Sequence, residues 1–229
     1  MLLGLSGLAL WSPAEVADGN LIDPEQLPAL RETAAWAERF LTYGHADLGR
    51  QGPVCPYTRP SLNRRLFHLA CLDRDLDDEG VRETLLGYRD LHQELAAELP
   101  QEDRQFLTIL IVLPRVDRSD PEPLNRLQAR LKTDFVQNRL MIGQFHPECA
   151  EPGLWNRDFR PLHSPVPLLA IRHMVAFDLP FLQTSQQHLE AYLAAFAPAI
   201  PTAVRSRLAE LATREIPTPP TGSSVQATV

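Results

Sequence analysis

The stretch FLTILIVLP, residues 106–114, is apolar on both faces, rich in β-branched residues and closed by a proline. A strand with one wet face alternates apolar and polar residues, whereas a continuous apolar run belongs to a strand covered on both sides. This stretch is therefore a buried inner strand of a sheet with helices packed on its faces. Upstream, RLFHLACL (65–72) has the same character and predicts a second inner strand. The residues between them, 77–99, place Val81, Leu85, Tyr88, Leu91, Leu95 and Leu99 at helical spacing, which predicts an amphipathic helix. His68 is assigned to a strand face and His92 to the surface of that helix.

Downstream, SDPEPLNRLQARLKTDFVQ (119–137) carries Leu124, Leu127, Leu131 and Phe135 on one helical face. RLMIGQF (139–145) and PLLAIRHMV (167–175) read as two more strands. At the start, DPEQLPALRETAAWAERFLTYG (23–44) predicts a helix with Asp23 as N-cap, Pro24 at its first position and a stop near Gly44. Helices are expected at about 185–197 and 203–215, with His188 on the surface. The order is helix, loop, then β-α-β-α-β-loop-β-α-α. It predicts an α/β (or α+β) layered sandwich, a mixed sheet flanked by helices. One domain is expected over residues 1–215, followed by a disordered tail at 216–229 of Pro, Thr, Ser and Gly composition.

With 44% hydrophobic and 22% charged residues, the 229-residue chain is composed like a globular protein. A net charge of −7 without a clustered basic run argues against nucleic-acid binding. Three cysteines with no C-x-x-C spacing disfavour a disulfide framework or a cysteine-rich zinc site and fit a reducing cytoplasm. The apolar opening MLLGLSGLALW lacks a basic flank and is too short to span a bilayer. No membrane association is expected.

Two irregular segments carry the chemistry-bearing residues. In GRQGPVCPYTRP (49–60), Cys55 lies between Pro53 and Pro56 after Gly49 and Gly52. The prolines stiffen the chain, and the glycines permit close approach of something flat or bulky. Arg50 and Arg59 supply positive charge beside a thiolate, the form of cysteine that ligates and attacks. His45 either joins this site or belongs to a solvated turn. Cys71, inside a strand pattern, reads as a buried hydrophobe. The second segment, HPECAEPGLWNRDFRPLHSPV (146–166), is a loop of about twenty residues, a length that is usually functional or disordered. It concentrates His146, Arg157, Arg160, His163 and Ser164 with Trp155 and Phe159. His146 ends a strand, where α/β proteins place ligand crevices. The plainer alternative is an Ω-loop covering the sheet edge. Cys149 is either a second ligand beside His146 or a bystander.

VCPYTRP, GQFHP and HSPVPLLAIRHM together are similar to an uncharacterised bacterial family with Leu-Cys-Pro-Phe, Phe-His-Pro and Arg-Ser-Pro-Tyr-Pro motifs. The layout more distantly resembles the small haem-thiolate enzymes of the YqcI/YcgG type, which N-hydroxylate arginine in natural-product pathways. That resemblance implies haem, with Cys55 as axial iron ligand and His146 as its His-Pro histidine. It places Arg160 or His163 in the arginine-rich turn, with Ser164 and Arg50 joining the cofactor shell. The implied activity is a haem-dependent monooxygenase or N-hydroxylase acting on a small nitrogenous metabolite, with an electron donor. A homodimer is compatible with it. Two other functions remain open from the residues alone. One is a cofactor-free enzyme with Cys55 as nucleophile and His146 or His163 as base. The other is a non-enzymatic binding protein that docks a ligand or partner through loop 146–166.

Overall fold

The computed structural model describes residues 2, 3, 7–76, 79–197, 206 and 210. Apart from Ser206 and Glu210, the expected helix at 203–215 lies outside the described residues, and so does the whole of the expected tail at 216–229. Contacts cluster into two compact units, Met1–Asp178 and Leu179–Val229.

Four strands form the main sheet of the first unit: β3 (Phe67–Cys71), β4 (Thr108–Val112), β5 (Leu140–Phe145) and β6 (Leu168–His173). Their order is β3-β4-β6-β5, with β3 and β4 parallel and β6 antiparallel to both of its neighbours. The expected inner strand 106–114 is thus β4, paired on both sides, and the mixed sheet is as the element order predicts. The run 65–72, also expected to be inner, is instead β3 at the sheet edge, where its apolar residues are covered by packed helices and Trp11. Strands alternate their side chains between faces, so the sheet divides two cores. One face carries Ile109, Ile111, Leu140, Ile142, Leu169 and Ile171 against α4 (Glu79–Ala97) and α5 (Glu122–Gln137). The other carries Phe67, Leu69, Leu110, Val112 and Leu168 against Trp11, α1 (Pro13–Asp18) and α2 (Leu27–Trp36). Trp11 also bridges Leu69 at the β3 edge, exchanging two backbone hydrogen bonds of 2.8 Å. A two-stranded ribbon pairs β1 (Leu2–Leu3) with β2 (Ala9–Leu10).

Three local features differ from expectation. Asp23 does not cap the helix directly. Its carboxylate accepts the Glu25 amide at 2.9 Å within a turn, and α2 starts at Leu27. Ser12 and Glu15 form a capping box that starts α1, a helix absent from the expected order. His92 is not on the surface of α4 but fully buried. It lies four residues after Tyr88 and seven after Leu85, so helical geometry puts it on their inward face. The second unit contains α6 (Gln186–Phe196), which matches the expected 185–197. Ser185 caps it, and it buries His188, expected at the surface, together with Tyr192.

Candidate functional site

A helix leaves its last carbonyls without intrahelical partners. After α2 the chain widens into a π-helical turn, Ala37–Leu41, a distortion common at functional sites. The carbonyls that follow are satisfied largely by the cysteine segment. The Cys55 amide donates to Leu41 O at 2.9 Å, the Val54 amide to Tyr43 O at 2.8 Å, and Arg59 Nη2 to Thr42 O at 2.9 Å. Thr42 Oγ1 turns back onto Glu38 O at 2.6 Å. The loop bearing Cys55 is thereby the cap of the preceding helix, and its backbone is fixed. Just beyond, α3 (Thr58–Asn63) carries the chain back toward β3.

Cys55 is half-buried against the α1/α2 core, in a cluster whose partly buried fringe also includes Val54 and the stacked Trp36–Phe40 pair. The expected cations Arg50 and Arg59 lie close in the chain but spend their guanidinium groups on carbonyls. Arg50 donates to Gln51 O at 2.9 Å and Val54 O at 3.2 Å, and Arg59 also stacks 4.8 Å over Tyr43. Two residues not singled out from sequence are electrostatic neighbours of Cys55 instead: Tyr57 and Arg172. Arg172 extends from the end of β6 on the same sheet face as Leu168 and Ala170. Asp178, 2% exposed, grips it with two bonds of 2.8 and 2.5 Å and also accepts the Val175 amide at 2.8 Å. The guanidinium lies 5.9 Å from the centre of the Tyr57 ring. Burial alone would lower the Arg172 pKa, but the Asp178 carboxylate outweighs it and raises it, so the group stays charged. Burial pushes the Tyr57 phenol up. Arg172 opposes that rise, while charge on Asp178 or Cys55 adds to it.

The other cysteines differ in setting. Burial pushes Cys71 up to about 12, and burial likewise raises Cys149, which is 1% exposed. Both are held as thiols, as expected for Cys71.

Loop 146–166 is packed rather than open. His146 is buried, its Nε2 donating to Asn125 Oδ1 at 3.0 Å, and burial lowers its pKa with a further push from His163. Ser164 Oγ is spent on Val166 O at 2.6 Å, and Arg160 Nη1 on the carbonyls of Arg157 and Phe159. Among the described contacts, none joins Cys55 to His146, Arg160, His163 or Ser164; Arg50 alone of the expected shell sits on the Cys55 loop. The loop is latched to residues 44–52 at three points. Asn156 Nδ2 donates to Asp47 O at 2.8 Å, the rings of His45 and Phe159 lie 4.9 Å apart, and Trp155 backbone abuts Gly49. What approaches Gly49 closely is therefore the chain itself. Phe40 and Phe145 continue the aromatic cluster through Phe159 and Trp36, whereas the Trp155 side chain is 68% exposed.

Among the described residues, no cluster of three His, Cys, Asp or Glu side chains could hold a metal ion. A haem iron asks only one thiolate of the protein, and Cys55 fits that donor role: partly open, on a fixed backbone, with a permanent cation nearby. No described helix is long and apolar enough to cross a membrane. A protein-family model, described as a domain of unknown function (DUF6875), matches residues 30–207, more than half of the chain. Neither the curated proteins nor the solved structures contain a match.

Proposed function

We propose that this chain, which belongs to the DUF6875 family, is a cytoplasmic haem-thiolate oxygenase acting on a small nitrogenous metabolite, with Cys55 as the iron ligand. The observation that carries this reading is the setting of half-buried Cys55, on a backbone bonded to the end of the preceding helix and with the carboxylate-held Arg172 guanidinium as an electrostatic neighbour. Haem ligated by a thiolate supplies O–O bond cleavage, because the sulfur donates electron density to the iron. The chain's own part is to present that sulfur on a fixed backbone at the edge of an apolar cluster, with the permanent charge of Arg172, fixed by Asp178, in its electrostatic surroundings. The electron donor and the nitrogenous substrate rest on the resemblance.

The nucleophile alternative is less well supported. A cysteine nucleophile needs a base that accepts its proton. The polar groups facing Cys55 are a guanidinium and a phenol with a raised pKa, and neither accepts a proton at neutral pH. His146 is bonded to Asn125, with His163 and Glu148 as its electrostatic neighbours.

The test is the absorption spectrum of protein expressed with haem precursor, for wild type and Cys55→Ser. A Soret band that red-shifts when the ferrous protein takes up carbon monoxide is expected in wild type, with the shift lost in the variant. A protein that shows no Soret band, even after haemin titration, would sink the proposal.

A further inference from the structure

On the opposite face of the sheet, three histidines converge. His92 from α4 is fully buried, His68 from β3 is 6% exposed, and His173 ends β6. The His92 and His173 rings stack at 6.2 Å and 23°. His92 Nε2 meets Leu107 O at 3.1 Å, and a carbonyl only accepts, so the proton sits on Nε2 and leaves Nδ1 bare. The Nδ1 atoms of both His92 and His173 are buried with no hydrogen-bond partner. A protonated imidazole needs acceptors for two N–H groups, and here none is in place for the second.

The charged groups around the cluster offer little relief. His173 faces Arg104, from the turn before β4, and Arg139, from the turn before β5. His92 faces His173 and His68. Glu15 acts favourably on His68, yet burial outweighs it there. We infer that His92, His173 and His68 form an acid-operated latch that holds α4 on the sheet while all three rings are neutral. It goes beyond the Cys55 reading and stands without it. The latch shares a strand with the other face: Arg172 precedes His173 in β6 and donates from Nη1 to the His173 carbonyl at 2.9 Å.

Burial, against the bond to Leu107 and reinforced by His173 and His68, lowers His92 from 6.5 to about 4. A depressed folded-state value means stability that is present above the unfolded value, about 6.5, and lost as pH falls toward 4. Linkage for His92 alone gives an opening constant about thirtyfold larger at pH 5 than at pH 7.5.

Amide hydrogen exchange of the full chain, corrected for the pH dependence of the intrinsic rate, reads this directly. Protection of residues 85–97 in α4 should fall about thirtyfold between pH 7.5 and pH 5, ahead of any loss in α5. In His92→Gln, whose amide can still donate to Leu107 O but does not titrate, the fall should shrink to less than about fivefold. His173→Asn serves the same purpose if the first variant does not fold. The latch is overturned if α4 protection is flat with pH, if α4 and α5 open together, or if the non-titrating variant matches wild type.

Discussion

Asp178→Ala should lower the stability of the protein by about 3 kcal/mol, read as a Tm roughly 10 °C lower. The carboxylate is 2% exposed and makes two bonds to Arg172 and one to the Val175 amide. Breaking a buried ion pair by removing one partner leaves the other charge without compensation, and that loss exceeds the net worth of the pair. The Arg172 side chain retains 25% exposure, so water relieves part of the penalty, and the low end of the usual 3–5 kcal/mol range applies. Asp178→Asn retains an acceptor and should cost about half as much. Adding Arg172→Met to Asp178→Ala removes the orphaned charge and should restore at least about 1 kcal/mol, a coupling a double-mutant cycle measures. If Asp178→Ala shifts stability by less than about 1 kcal/mol, the pair is solvated and Arg172 is not a fixed cation. On the proposed haem reading, loss of the carbon monoxide band shift in Arg172→Met, with haem still bound, would locate support for a Cys55 thiolate at this guanidinium.

Much of the sheet is legible in local pattern. The four expected strand runs become β3 to β6, and the inward faces of α4 and α5 follow the apolar spacing of Val81 to Leu95 and Leu124 to Phe135. Strand order is not legible in the same way. That β6 inserts between β4 and β5 is a choice among pairings with equal side-chain parity, decided by tertiary packing. Arg172 escapes notice for the same reason: without register, a charged residue near a strand end reads as solvent-facing. Its partner Asp178 lies in the following 3-10 turn, six residues on. His92 is a different case. Its phase with Leu85 and Tyr88 is readable, and the apolar periodicity decides its burial against the polarity of the ring. The capping box Ser12–Glu15 was likewise a readable signal. The π-helical turn has no sequence signature, and its contact with Cys55 rests on two segments meeting in space.

One of the three points that hold loop 146–166 to the cysteine segment requires that Gly49 carry no side chain. Gly49→Ala should destabilise the protein by about 3 kcal/mol and release the loop. Gly49 has φ +77°, in the left-handed region, where any side chain costs roughly 1–2 kcal/mol. A Cβ there would also sit 2.8 Å from Trp155 O and 2.9 Å from Trp155 C, backbone atoms that no rotamer change can move. The loop must shift, and with it go the Asn156–Asp47 hydrogen bond and the contact between the His45 and Phe159 rings. Gly52→Ala is the control. Its φ is +93°, but the nearest atom is the flexible end of Arg50 at 3.4 Å, so only backbone strain of about 1 kcal/mol applies. The difference between the two variants isolates the Trp155 contact, because the strain is shared. Limited proteolysis reads the location of the effect. Cleavage within 146–166 should accelerate in Gly49→Ala and not in Gly52→Ala. Equal losses in both variants would mean that the loop is held by its own core, through Phe159 and Cys149, and not by the segment that carries Cys55.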